Sequence, residues 1–169
     1  IPFIRPKNLS DDYTGTNKVI AHAVTLLTNK YNFKIHSACC IYATAPFIKI
    51  QDLSKAWQLL KSRKWNYVFA ATSYSYPIFR SFTQQKGGGV KLLYPKYFKK
   101  RSQDLKTILH DAGQFYWAKS KSWINNETSF NHRSTVVKLP NWRVHDIDTL
   151  DDWKTAELKY KALKKNEKK

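Results

Sequence analysis

Two short apolar runs of β-favouring residues, "SACCIYAT" at 37–44 and "NYVFAATSYS" at 66–75, bracket a stretch whose apolar positions recur at helical spacing. Between them, "QDLSKAWQLLKSRK" at 51–64 puts Leu53, Ala56, Trp57 and Leu60 on one face. Strand, helix, strand in that order is a βαβ unit, and a chain built on one must fold as an α/β sheet with helices covering it. The first run is closed by Pro46 and predicts a buried, parallel strand. Ahead of it, Val19, Ile20, Ala23, Val24 and Leu27 predict an amphipathic helix over 16–31, with a hydroxyl residue available as N-cap.

The middle of the chain changes character. "IFRSFTQQ", "KGGG" and "VKLLYP" read as two strand-like runs about a glycine turn, a hairpin projecting from the sheet. The glycines are not followed by Lys-Ser/Thr and open no helix, so they do not form a phosphate loop. "AGQFYWAK" and "STVVKLP" supply further strands, and Trp153, Ala156, Tyr160 and Leu163 predict a C-terminal helix over about 149–165. Only the last few residues look disordered. At 169 residues the chain predicts a single domain spanning 1–169, with an extension at about 76–134.

Thirty Lys and Arg against twelve Asp and Glu give a net charge of +18. Such a balance attracts polyanions, although a lysine-rich proteome would produce it too. Six Trp, ten Tyr and nine Phe keep open a basic module that binds nucleic acid by stacking, or a dimerisation module, without catalysis. Many of the aromatic residues lie inside apolar runs, however, which predicts core rather than platform and makes nucleic acid the weaker partner. No run approaches a membrane span and no signal peptide opens the chain, so a cytoplasmic protein without a membrane partner is expected. Adjacent Cys39 and Cys40 would face opposite sides of a strand as buried thiols in a reducing compartment.

The acidic stretch "VHDIDTLDDW" at 144–153 divides in two. In an extended segment Asp146 and Asp148 point one way and Ile147 the other, toward the core. Two such carboxylates can hold a hard divalent cation, but a solvated strand end has the same pattern. Thr149, with Asp152 three positions on, has capping-box spacing, and Asp151 and Asp152 suit the first turn of a helix.

Five motifs, "IPFIRPKNLSDDYTGTNKVIAHAV", "IYATAPFI", "RSQDL", "HDAGQFYW" and "RVHDIDTLDDW", resemble in order and spacing the acylneuraminate cytidylyltransferases, which make CMP-activated nonulosonic acids. "RSQDL" with "HDAGQFYW" looks most like the pseudaminic acid branch. The resemblance implies a Rossmann-like nucleotidyltransferase sheet and transfer of CMP from CTP to a nonulosonic acid, pseudaminic or sialic in type, with release of pyrophosphate. Asp146 and Asp148 would hold Mg²⁺ as the catalytic metal, while Arg5, Thr14 and Thr16 would meet CTP. Arg101, Gln114 and Tyr116 would contact the sugar, with Arg80 a further candidate. Tyr42 stands where sialic acid enzymes carry a glutamine, which fits a different sugar. His110 is read as structural.

The family also implies a homodimer formed through the hairpin and through "NNETSFNHRS" at 125–134, with Phe130 reaching toward a partner's sugar site. Complete members begin with a strand and a loop of the form A-R-G-G-S-K-R that cradles phosphates. A chain that starts at Ile1 and has no methionine is expected to be a piece of something longer. It would lack the first βαβ unit and be inactive or poorly folded alone.

Overall fold

The computed structural model describes the backbone of residues 2–167 and the side chains of residues 2–165. It is a mixed α/β structure. Strands β1 (Ser37–Ile41), β2 (Tyr67–Ser73), β5 (Leu109–Lys119) and β6 (Ser134–Lys138) form one sheet in the order β1-β5-β2-β6. A separate two-stranded ribbon joins β3 (Phe82–Gln84) to β4 (Val90–Leu92). The helices are α1 (Thr16–Tyr31), α2 (Ile50–Lys61), the short α3 (Ser120–Ile124) and α4 (Leu150–Glu167). The expected disorder of the last residues falls largely outside the described positions.

Strand β2 is the centre of the sheet, and its apolar sequence explains why. Tyr67 to Thr72 are all buried, so both faces of the strand must be covered. On one face α2 packs Ala56 and Leu60 against Val68, Ala70, Phe115, Val137 and Leu139. On the other, Val24 of α1 and Trp123 of α3 pack against Tyr67, Phe69 and Tyr116. Cys39 joins the first cluster and Cys40 the second, as alternation requires; burial pushes the Cys39 thiol up to about 12. Tyr67 donates its hydroxyl toward the carbonyls of Ser122 and Glu127, tying the turn after α3 to the strand.

Two expectations change. Strand β1 does not pair in parallel with β2: β5 runs between them, antiparallel to both. The helix-linked strands do run the same way, but an eleven-residue strand from later in the chain fills the gap between them. The parallel pair is instead β2 with β6. Second, the N-cap of α1 is Gly15, without a side-chain cap. Asp11 accepts the N–H groups of Tyr13 and Thr14, which folds the turn before the helix rather than capping it.

The glycine turn of the β3–β4 hairpin needs left-handed backbone at Gly87 and Gly88, with φ of 98° and 111°. Phe82 and Val90 on this hairpin are 60% and 69% exposed. Strand β5 returns from the hairpin into the middle of the main sheet, so the segment projecting from that sheet is shorter than 76–134.

Candidate active site

The central feature of the site is a break in the pairing of β2 with β5. Phe69 pairs with Tyr116 and Ala71 with Asp111, so Ala70 alone opposes the four residues 112–115. Gly113 absorbs the bulge with φ of +60°, a conformation costly for other residues. Asp111 closes it: one carboxylate oxygen accepts the Gly113 N–H at 2.9 Å, and the other accepts the Tyr116 hydroxyl. Burial, reinforced by the Asp111 carboxylate, pushes the Tyr116 phenol well above its ordinary range, so it remains a donor. Its ring stacks on Phe69 and leans on Tyr42, with centroids 5.6 and 5.4 Å away.

Against this bulge lies Asp146. A Cβ on Gly113 would sit 3.2 Å from Asp146 Oδ2, so the glycine makes room for the carboxylate. Residues 144–148 form no ladder, contrary to the expected strand, but the alternation holds: Asp146 and Asp148 are exposed and Ile147 is half-buried. Side chains replace the missing ladder. Gln114 Nε2 donates to the Arg143 carbonyl at 2.7 Å, and Arg143 pairs with Asp52 of α2 at 2.5 Å. His145 Nε2 donates to the Asp152 carbonyl at 2.8 Å, which leaves Nδ1 to accept from Lys159 at 3.3 Å. Beyond it, Thr149 and Asp152 form the expected capping box, with Thr149 N–H to Asp152 Oδ2 at 2.9 Å and Asp152 N–H to Thr149 Oγ1 at 3.2 Å.

Two clefts open here and Tyr42 borders both. One, of about 480 Å³, is lined by His110, Asp111, Gly113, His145 and Asp146. The other, of about 360 Å³, is lined by Gly15, Thr16, Tyr116, Trp123 and Phe130. Thr16, Tyr42, Tyr116 and Asp146 are therefore brought together. Arg5, Thr14, Arg80, Arg101 and Asp148 lie outside both linings. Arg5 donates to Ser10 at 3.2 Å, Arg80 to the Lys100 carbonyl at 2.9 Å, and Arg101 pairs with Asp104 at 2.9 Å.

Gln114 is fully buried and donates its amide to the Arg143 carbonyl, so it braces the loop. Phe130 packs on Phe69 of its own chain, with centroids 5.1 Å apart, and stays 64% exposed at the rim of the smaller cleft. His110 donates Nδ1–H to the Asp111 carbonyl at 2.8 Å, which serves the bulge. Asp111, Gly113 and His145 went unnoticed as site residues. The Asp-x-Gly spacing of an Asx turn within "HDAG" was the available signal for the first two.

Over 161 residues, 95% of its length, the chain is 39% identical to the pseudaminic acid cytidylyltransferases of two Campylobacter jejuni serotypes and covers 69% of each. The chain belongs to the nonulosonic acid cytidylyltransferase family. A Helicobacter pylori protein named for both pseudaminic acid cytidylyltransferase and UDP-2,4-diacetamido-2,4,6-trideoxy-beta-L-altropyranose hydrolase is 32% identical over 145 residues, 85% of this chain and 27% of that protein. No protein-family model matches the chain.

For a member of the cytidylyltransferase family, the donor set bears on the expected divalent cation. Among the described residues no three His, Cys, Asp or Glu side chains converge as a metal cage. Both oxygens of Asp111 are engaged by the bulge, whereas Asp146 presents a carboxylate at an open cleft. A hard cation that keeps waters and shares its coordination with phosphates needs only one or two such carboxylates, so the residues fit it.

Proposed function

We propose that this protein transfers CMP from CTP to the anomeric hydroxyl of a nonulosonic acid, pseudaminic acid in the first instance, and releases pyrophosphate. The observation that carries the reading is the 39% identity to pseudaminic acid cytidylyltransferases along 95% of the chain. The sheet is read as Rossmann-like, with nucleotide and sugar meeting beside the bulge between β2 and β5.

The sugar hydroxyl attacks the α-phosphate in line with the departing pyrophosphate, so the protein's task is alignment and charge neutralisation. Thr16 borders the nucleotide side, with Arg5 and Thr14 on the segment leading into it. Tyr42 and Tyr116 form the wall between the two clefts and contact the sugar. Arg101 has 73% of its side chain exposed, so its pairing with Asp104 is easily exchanged for a sugar carboxylate, to which its fork is suited. Arg80 is a second cation for the same end of the sugar. Asp146 and Asp148 would hold Mg²⁺, which when bound would neutralise charge developing on the phosphates.

The exposed Phe82 and Val90 support a homodimer through the β3–β4 hairpin. Among the described residues no helix is long and apolar enough to cross a membrane. The test is to supply the product of the whole reading frame with CTP, Mg²⁺ and either pseudaminic or N-acetylneuraminic acid. CMP-sugar and pyrophosphate in equal amounts, faster with pseudaminic acid, are expected; no pyrophosphate with either sugar would end the reading.

A further inference from the structure

Asp111 lines the same cleft as Asp146, yet its carboxylate faces the fold. One oxygen takes the Gly113 N–H and the other takes the Tyr116 hydroxyl, so two points three residues apart are drawn onto one side chain. That double contact holds the four-residue bulge of β5 shut and keeps Gly113 left-handed. The face of Gly113 that lacks a Cβ is where Asp146 Oδ2 rests. Asp146 is thus located by a surface whose shape depends on Asp111, while Gln114, next along the same bulge, fixes the backbone three residues before it.

We propose that Asp111 is a positioning residue for Asp146: by closing the bulge around Gly113 it sets where the Asp146 carboxylate meets the metal-bound phosphates. This rests on the reading of Asp146 as a metal ligand. It separates two carboxylates in one cleft by role, one holding the fold and one facing the cation. A ligand needs its charge, whereas a bulge clamp needs only an oxygen acceptor for Gly113 and a polar partner for Tyr116. Asparagine supplies both, since its carbonyl can accept from Gly113 and its amide can donate to the Tyr116 oxygen.

Mn²⁺ binding to the product of the whole reading frame, titrated with and without CTP and read by electron paramagnetic resonance, provides the test. Thermal unfolding checks that each variant folds. Asp111→Ala and Gly113→Ala should each weaken Mn²⁺ binding about tenfold, as loss of outer-sphere support does at metal sites. Asp111→Asn should stay within about threefold of the wild type, whereas Asp146→Asn should remove the site. If Asp111→Ala does not fold, Gly113→Ala and Asp111→Asn still decide.

Asp111→Asn as damaging as Asp146→Asn would overturn the proposal, because Asp111 would then act through its charge. So would Mn²⁺ binding unchanged in a folded Asp111→Ala, or wild-type binding that survives Asp146→Asn. The expected pattern in a protein that forms no CMP-sugar would uphold the positioning role and remove the proposed activity instead.

Discussion

The two halves of the acidic stretch at 144–153 use the same side chain for opposite ends. Asp152 is a helix residue: its carboxylate accepts from the backbone and hydroxyl of Thr149 and from the backbone of Asp148. Those bonds, the Thr149 hydroxyl first, hold its carboxyl below the usual range. Asp151 pairs with Lys154 on the helix surface. Asp146, by contrast, takes among the described residues only the adjacent Ile147 N–H at 3.1 Å and rests on a glycine at the rim of a cleft. The difference lies in backbone geometry, not in composition. Where the helix begins, backbone donors converge on a carboxylate; five or six residues earlier, side chains from β5, α2 and α4 pin the backbone and leave the carboxylate facing outward.

Replacing both outward carboxylates should break this contrast most severely. Asp146→Ala with Asp148→Ala should lower Mg²⁺-dependent turnover by about 10²-fold or more, with little change in the urea midpoint, because neither exposed group supports packing. A large loss of stability with turnover intact would reverse the assignment. Next in size, Thr149→Ala removes the hydroxyl of the capping box and should cost about 1 kcal/mol in urea unfolding while leaving the CTP half-saturation unchanged. The Asp152 contribution has a definite pH signature. Its folded-state pKa lies below the ordinary 3.8, so its stabilisation is present above that value and is lost as pH falls through the folded value. In Asp152→Asn, that part of the acid destabilisation should disappear from the midpoint-against-pH curve.

The elements that the sequence made legible are those whose signal is local. Helix α2 and strand β2 follow from apolar spacing, and the capping box follows from Thr149 and Asp152 three positions apart. What was not legible depends on register between distant segments. Nothing within "SACCIYAT" says that residues 109–119 will insert beside it and reverse the pairing. The bulge opposite Ala70 is likewise a property of two strands together, and within it Gln114 turns its amide to Arg143. For the site, the motifs point to Asp146 and Tyr42, which are found at the clefts, whereas Arg101 is found on the surface beside Asp104. Motif order identifies which residues are present but not which partners engage them.

The smallest expected effect sharpens the contrast from the other side. Asp151 has 91% of its side chain exposed and its partner Lys154 has 74%. An ion pair so solvated gains little, and its charge near the start of α4 adds only a weak interaction with the helix dipole. Asp151→Ala should therefore shift stability by about 0.5 kcal/mol or less and fade further at high salt, where both terms are screened. Turnover should be unchanged at any Mg²⁺ concentration. A rise in the Mg²⁺ needed for half-maximal activity would place Asp151 with Asp146 rather than with Asp152. The boundary between metal-facing and helix-serving carboxylates would then fall inside the helix instead of before Thr149.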